Sequence, residues 1–144
     1  SSSDVEGKRL LWDEGEHLLG EKALHMLVGG SRQYYVDNLT IFGPSKDAGL
    51  SLVLAEQQRD EYRLRSMELT SRDVYIDIGG HIGLPVLIAL NTHPNLRVVC
   101  IEALPENYFY IRWNLLANGF RVGDGARVVA LNRAVSAVSG ATVP

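Results

Sequence analysis

The chain has 144 residues, of which 46% are hydrophobic and 22% charged, with a net charge of −3 and a single cysteine. This suffices for one packed domain and is short for two. The charge argues against a broad basic surface for nucleic acid, Cys100 alone can form neither an internal disulfide nor a thiolate zinc site, and no apolar run reaches the length of a membrane span. The opening "SSSDVEGKRLLWDEGEH" lacks the basic-then-apolar order of a secretory leader, so a cytoplasmic protein is expected. Cys100 lies inside "RVVCIE", where a buried, inert thiol is expected.

In chain order, residues 1 to 15 read as a polar lead-in. "GEHLLGEKALHMLVGG" places Leu18, Leu19, Ala23, Leu24, Met26 and Leu27 on an amphipathic stripe and predicts a short helix stopped by Gly29 and Gly30. "SRQYYVDNLTIFG" and "LSLVLAE" are rich in β-branched and aromatic residues around the turn signal "GPSKDAG", which predicts two strands of a hairpin. From Glu56 to Leu69 dense charges and an uneven apolar stripe predict a helix across the domain edge. "DVYIDI" reads as a strand buried on both faces. "LPVLIALNTH" follows as a helix with Pro85 in its first turn. "RVVCIE" is a second buried strand, "LPENYFYIRWNLLANG" a second helix closed by Gly119, and "ARVVALN" a third strand. "AVSAVSGATVP" reads as a further strand, a turn and the start of another. Strand, helix, strand, helix, strand with short links is the pattern of parallel βαβ units, hence an α/β fold with a Rossmann-like parallel sheet. Residues 1–55 form a helix-and-hairpin extension to it, and 56–144 the sheet portion.

The chemistry concentrates where the first strand ends, in Asp77-Ile78-Gly79-Gly80-His81-Ile82-Gly83. A bare carboxylate within a strand is costly unless something answers it. Glycines let a ligand approach the backbone, and the following helix aims its amides at the same space. The second strand ends in Glu102, nineteen positions after Gly83 and placed to accept both hydroxyls of a ribose. A dinucleotide fingerprint would need glycines at 78, 80 and 83, and position 78 is Ile. A pyrophosphate would also bring a second anion beside Asp77. S-adenosylmethionine carries an ammonium, a sulfonium and a ribose without phosphate, and suits both acids.

At these residues the sequence resembles the FkbM-type methyltransferases, a branch of the class I S-adenosylmethionine-dependent enzymes. The family's D-x-G-A-N-I-G turn matches at Asp77, Gly79, Ile82 and Gly83, with Gly80 in place of Ala and His81 in place of Asn. "E-x-x-P-E-N" matches at Glu102, Pro105, Glu106 and Asn107, and "N-x-A-V-S" at Asn132, Ala134, Val135 and Ser136. The resemblance covers roughly 56 to 144 and implies a partial class I methyltransferase fold. It implies that Asp77, Gly79, Gly80, His81 and Gly83 hold the methionine portion and Glu102 the ribose. It further implies that Ala103 and Leu104 flank the adenine, and that Asn132 and Ala134 meet its edge. The activity implied is methyl transfer to an oxygen or nitrogen; the acidic balance points to a small-molecule or sugar acceptor, with no nucleic-acid or membrane partner expected. The family's later strands have no counterpart here. The first strand would then be an open apolar edge unless a C-terminal half or a second copy in a homo-oligomer completes the sheet.

No residue stands out as a catalytic base. His17, Glu21 and His25 share a helix face at metal-ligand spacing, but Gly20 weakens that helix and a solvated face accounts for them, so no metal is expected. Tyr108, Phe109, Tyr110 and Trp113 read as core, and Arg59, Arg63 and Arg65 as a solvated face. Two other readings remain: a binding or assembly module of methyltransferase shape without the chemistry, and a nicotinamide-dependent oxidoreductase.

Overall fold

The computed structural model describes residues 2–46, 50–51, 54–55, 57 and 59–140. Helix α1 (Ser2–Leu19) and α2 (Glu21–Gly29) lead into a hairpin of β1 (Ser31–Val36) and β2 (Leu39–Pro44). The sheet portion follows as β3 (Val74–Ile78), α3 (Leu84–Thr92), β4 (Arg97–Ile101), α4 (Pro105–Ala117) and β5 (Val128–Leu131). Strands β3, β4 and β5 pair in parallel in that order, with Ile76 opposite Val99 and Val99 opposite Val129. The α/β class, the parallel sheet and the preceding helical and hairpin elements are therefore as the sequence indicated.

Several local expectations are corrected. The lead-in is helical, and the helix predicted over 15–30 is broken at Gly20, whose φ of 84° separates α1 from α2. The hairpin closes inside "SRQYYVDNLTIFG" at Asp37-Asn38, because Asp37 takes a left-handed φ of 54° that a two-residue hairpin turn requires. Of the predicted second strand, Leu50, Ser51, Leu54 and Ala55 are helical, while 52, 53 and 56 lie outside the described residues. No helix runs through 59–69. Asp60 and Arg63 adopt φ of 53° and 58°, and the Asp60 carboxylate accepts from Arg65 N at 2.9 Å and Ser66 N at 3.1 Å, which holds a turn instead. Arg65 is not a solvated charge: its guanidinium donates to Asp37 Oδ2 at 2.8 Å and to the Gln57 carbonyl, fastening this turn to the hairpin. Residues 134–140 form no strand, and 141–144 lie outside the described residues.

One face of the sheet is packed and the other is bare. Val98, Cys100, Val128 and Ala130 are buried, whereas Ile76 is 58% and Ile78 61% exposed. The expectation that the first strand is buried on both faces thus fails. Right-handed crossovers that step in one direction across a sheet lay their helices on the same side. The order β3-β4-β5 makes both steps in one direction, so α3 and α4 cover one face only, and β3 is a terminal strand.

The core gathers Leu87, Ile88 and Leu90 of α3, Ile111 and Leu115 of α4, and Leu39 and Ile41 of β2 into one cluster with the packed face. The hairpin reaches it through two asparagines of α4. Asn114 accepts from Phe42 N at 2.6 Å and donates to Phe42 O at 2.9 Å, and Asn118 does the same for Thr40 at 2.9 and 2.7 Å. These side chains stand in for a neighbouring strand along the free edge of β2. Helix α1 is tied to α4 where Glu14 accepts from Tyr108 Oη at 3.0 Å and pairs with Arg112 at 3.2 Å. No helix among the described residues is long and apolar enough to cross a membrane.

Candidate functional site

Strand β3 delivers Asp77 and the glycine turn to the carboxyl end of the sheet. Gly79 N and Gly80 N both donate to Ile101 O, at 2.8 and 3.3 Å, so the turn is anchored on the end of β4. Gly79, His81 and Gly83 take φ of 77°, 53° and 91°, and Gly83 caps α3. His is, with Asn and Asp, among the side chains that enter the left-handed region most readily. His81 therefore takes its left-handed φ of 53° at low cost. The lack of a side chain at Gly80 also has a local cause. A Cβ at position 80 would fall well inside contact distance of Cys100 Sγ and 3.3 Å from Ile111 Cδ1. Cys100 fills the space that an alanine there would use.

The two acids meet the turn from either side. Glu102 is buried, its Oε2 accepting from His81 N at 3.3 Å and its Oε1 from Asn107 Nδ2 at 3.4 Å. Asp77 Oδ2 is buried and has no hydrogen-bond partner among the described residues. Burial, and then the nearby Glu102 charge, raise the Asp77 carboxyl above its ordinary range. Cys100 is buried as expected, and burial and the same two acids push its thiol up to about 12. The Tyr75 hydroxyl is raised too, by burial and then by Asp77.

A cleft of about 370 Å³ opens over the turn, walled by Tyr62, Tyr75, Asp77, Gly79, Gly80 and His81 among others. Nothing lies within 4 Å of a Cβ placed on Gly79, so the space above the turn is open. Asp77, Gly79, Gly80, His81, Gly83 and Glu102 therefore come together. Ala103 and Leu104 follow Glu102 as exposed residues at the mouth of α4. Asn132 reaches the same segment from β5, donating to Glu102 O and Ala103 O at 3.0 Å each, so its amide nitrogen holds that loop in place. Ala134 is exposed beyond β5. Sequence reasoning overlooked Tyr62, Tyr75 and Asn114 here. Asn114 Nδ2 donates to Ile82 O at 2.8 Å from inside α4, and only its polarity within an apolar helix face hinted at such a task. His17, Glu21 and His25 do not form a ligand set, and no cluster of three metal-binding side chains occurs among the described residues. His25 instead meets the Trp12 ring edge-on at 5.1 Å.

An unanswered buried carboxylate beside an open glycine turn fits a cationic ligand better than an anionic one. The residues present thus suit the ammonium and ribose of S-adenosylmethionine.

No protein-family model and no curated protein matches the chain. Among solved structures it is similar to the crystal structure of a SAM-dependent methyltransferase from Agrobacterium tumefaciens, with a TM-score of 0.52 at 12% identity. The likeness covers 74% of this chain and 33% of that one, so the chain spans about a third of its structural relative, and at this identity the likeness shows the fold.

Proposed function

We propose that this chain is the cofactor-binding portion of an S-adenosylmethionine-dependent methyltransferase of the FkbM type, acting on an oxygen or nitrogen of a small-molecule or sugar acceptor. The observation that carries the reading is Asp77, which lines the glycine-turn cleft and whose Oδ2 is buried with no hydrogen-bond partner among the described residues. A ligand ammonium or sulfonium there would restore the interaction that burial has removed from the carboxylate. Glu102, steadied by His81 N and Asn107, is held for a pair of ribose hydroxyls. S-adenosylmethionine when bound supplies an electrophilic methyl group, which leaves the protein to align the acceptor and exclude water. Within this chain Asp77, the turn and Glu102 bind and orient, and no residue is assigned as a base.

Calorimetry with S-adenosylmethionine, its demethylated product and NAD tests the proposal. Binding of the first two, weakened at least tenfold by Asp77→Asn on the scale of a charge-assisted hydrogen bond, is the expected result. Tight binding of NAD alone would end it. A labelled-methyl assay against mixed acceptors then separates the enzyme from a module that binds the cofactor without transferring from it.

A further inference from the structure

Between Gly79 and Gly83 the backbone enters the left-handed region at every second residue, with φ of 77°, 53° and 91°. Glycine reaches that region freely but loses the most conformational freedom when fixed there, so the turn depends on what packs against it. Part of that support comes from the N-terminal hairpin. Along β2 the buried positions are Leu39, Ile41 and Gly43, so Gly43 is the third place in a row that faces the core. That place is filled from outside the strand. A Cβ on Gly43 would lie 3.2 Å from Ile82 Cδ1 and 2.9 Å from Leu50 Cδ2. Ile82 is fully buried and stands between His81 and Gly83.

The carbonyl of Ile82 is tied to the same strand. It accepts from Asn114 Nδ2 at 2.8 Å, and that carboxamide also holds the N–H and carbonyl of Phe42. Ile82 is thus set by β2 twice, at its side chain through Gly43 and at its carbonyl through Asn114. Its neighbour His81 lines the cleft and gives its N–H to Glu102 Oε2 at 3.3 Å, so a displacement of Ile82 reaches the cleft wall and the acid beside it. Neither Phe42 nor Gly43 lines that cleft. We infer that β2 is a working part of the ligand site: Gly43 and Asn114 are positioning residues that set the Ile82 peptide, and through it the His81 N–H and Glu102, for the ligand. The inference rests on the reading above for the identity of that ligand, and on the contacts of Ile82 for the coupling.

The test uses nitrogen-15-labelled protein and S-adenosylmethionine as the probe. In the wild type, the amide signals of Phe42 and Gly43 should shift along the same saturable curve as those of Gly79, Gly80 and Gly83. Signals of Phe42 and Gly43 that stay still while the turn titrates would overturn the inference without recourse to any variant. Gly43→Ala crowds Ile82 from outside the cleft, and its backbone lies outside the left-handed region, so the strand admits it. It should shift the Gly79 and His81 amides of the ligand-free protein and weaken S-adenosylmethionine by about three- to tenfold. Adding Ile82→Val removes the crowded Cδ1, and should bring affinity back to within about twofold of Ile82→Val alone. A loss of stability in Gly43→Ala with affinity unchanged would mean a purely structural contact and overturn the inference. If S-adenosylmethionine moves no signal in the wild type, the cofactor reading fails. The ligand-free comparison then decides the coupling alone: shifted Gly79 and His81 amides in Gly43→Ala uphold it, and unmoved ones overturn it.

Discussion

Asn114 and Ile82 are joined by a 2.8 Å hydrogen bond, from the side-chain amide of one to the carbonyl of the other, across 32 positions of sequence. The same carboxamide holds Phe42 by both its N–H and its carbonyl. One fully buried side chain thus braces the hairpin and the glycine turn against the same helix. Replacing Asn114 by Leu keeps the branching of the side chain and leaves three backbone groups without their present partners. Each unsatisfied buried group costs about 1–3 kcal/mol, so a loss of roughly 3–9 kcal/mol is expected. Denaturant unfolding measures it, and a loss below about 1 kcal/mol would mean that water replaces the amide there.

Gly80 and Cys100 should behave as a coupled pair. Gly80→Ala forces its methyl group against the thiol and is expected to cost about 1–3 kcal/mol. Cys100→Ala removes the obstructing sulfur, so the double variant should recover most of that loss. A double-mutant cycle in unfolding free energy reads the coupling, and strict additivity would show that the turn moves away from Cys100 instead.

The pH dependence of stability follows from Asp77. Its carboxyl is raised above the ordinary 3.8 by burial and then by Glu102, so between 3.8 and the folded-state value the folded protein binds a proton that the unfolded chain has released. This contribution is therefore fully present below 3.8 and is lost as pH rises through the folded-state value. Asp77→Asn should raise the melting temperature of the ligand-free protein at neutral pH and flatten its decline across that window. Thermal melts at a series of pH values compare the two proteins. Parallel curves would locate the strain elsewhere.

At His81 the backbone conformation sets what is tolerated. Its φ of 53° admits Asn readily and a β-branched residue poorly. His81→Asn should leave stability within about 0.5 kcal/mol, and His81→Val should cost roughly 1–2 kcal/mol. Equal effects of the two substitutions would mean that the imidazole, rather than the backbone, matters to the turn.

The one-sided sheet makes a contrast within a few residues. Ile76→Thr, on the bare face, should change stability by no more than about 0.5 kcal/mol. Ile88→Ala, in α3 against the packed face, should cost about 2–5 kcal/mol. Chemical denaturation of both variants checks the assignment of faces. A large loss for Ile76→Thr would show that the exposed face is covered in solution.

The α/β pattern, the ends of β4 and α4 and the cluster of Asp77, the glycine turn and Glu102 were all legible in the sequence, because each rests on local rules. Apolar run length, Pro in a first helical turn and Gly after a last one act over a few residues, and the spacing between strand ends follows from one βαβ unit. The errors lay where a choice depends on distant partners. Residues 59–69 have helical composition, but Asp60 spends its carboxylate on the backbone ahead of it, and Arg65 spends its charge on Asp37 from the hairpin. The hairpin turn was displaced because "GPSKDAG" and Asp37-Asn38 are both good turn signals, and the pairing of Val36 with Leu39 chooses between them. An apolar strand reads the same whether covered on one face or two, so the exposure of Ile76 and Ile78 was decided by the direction in which successive crossovers step. Sequence order alone placed Asp77 near the turn. That its Oδ2 is buried without a partner among the described residues, and that Asn114 braces the turn from behind, depends on which helix folds over which strand.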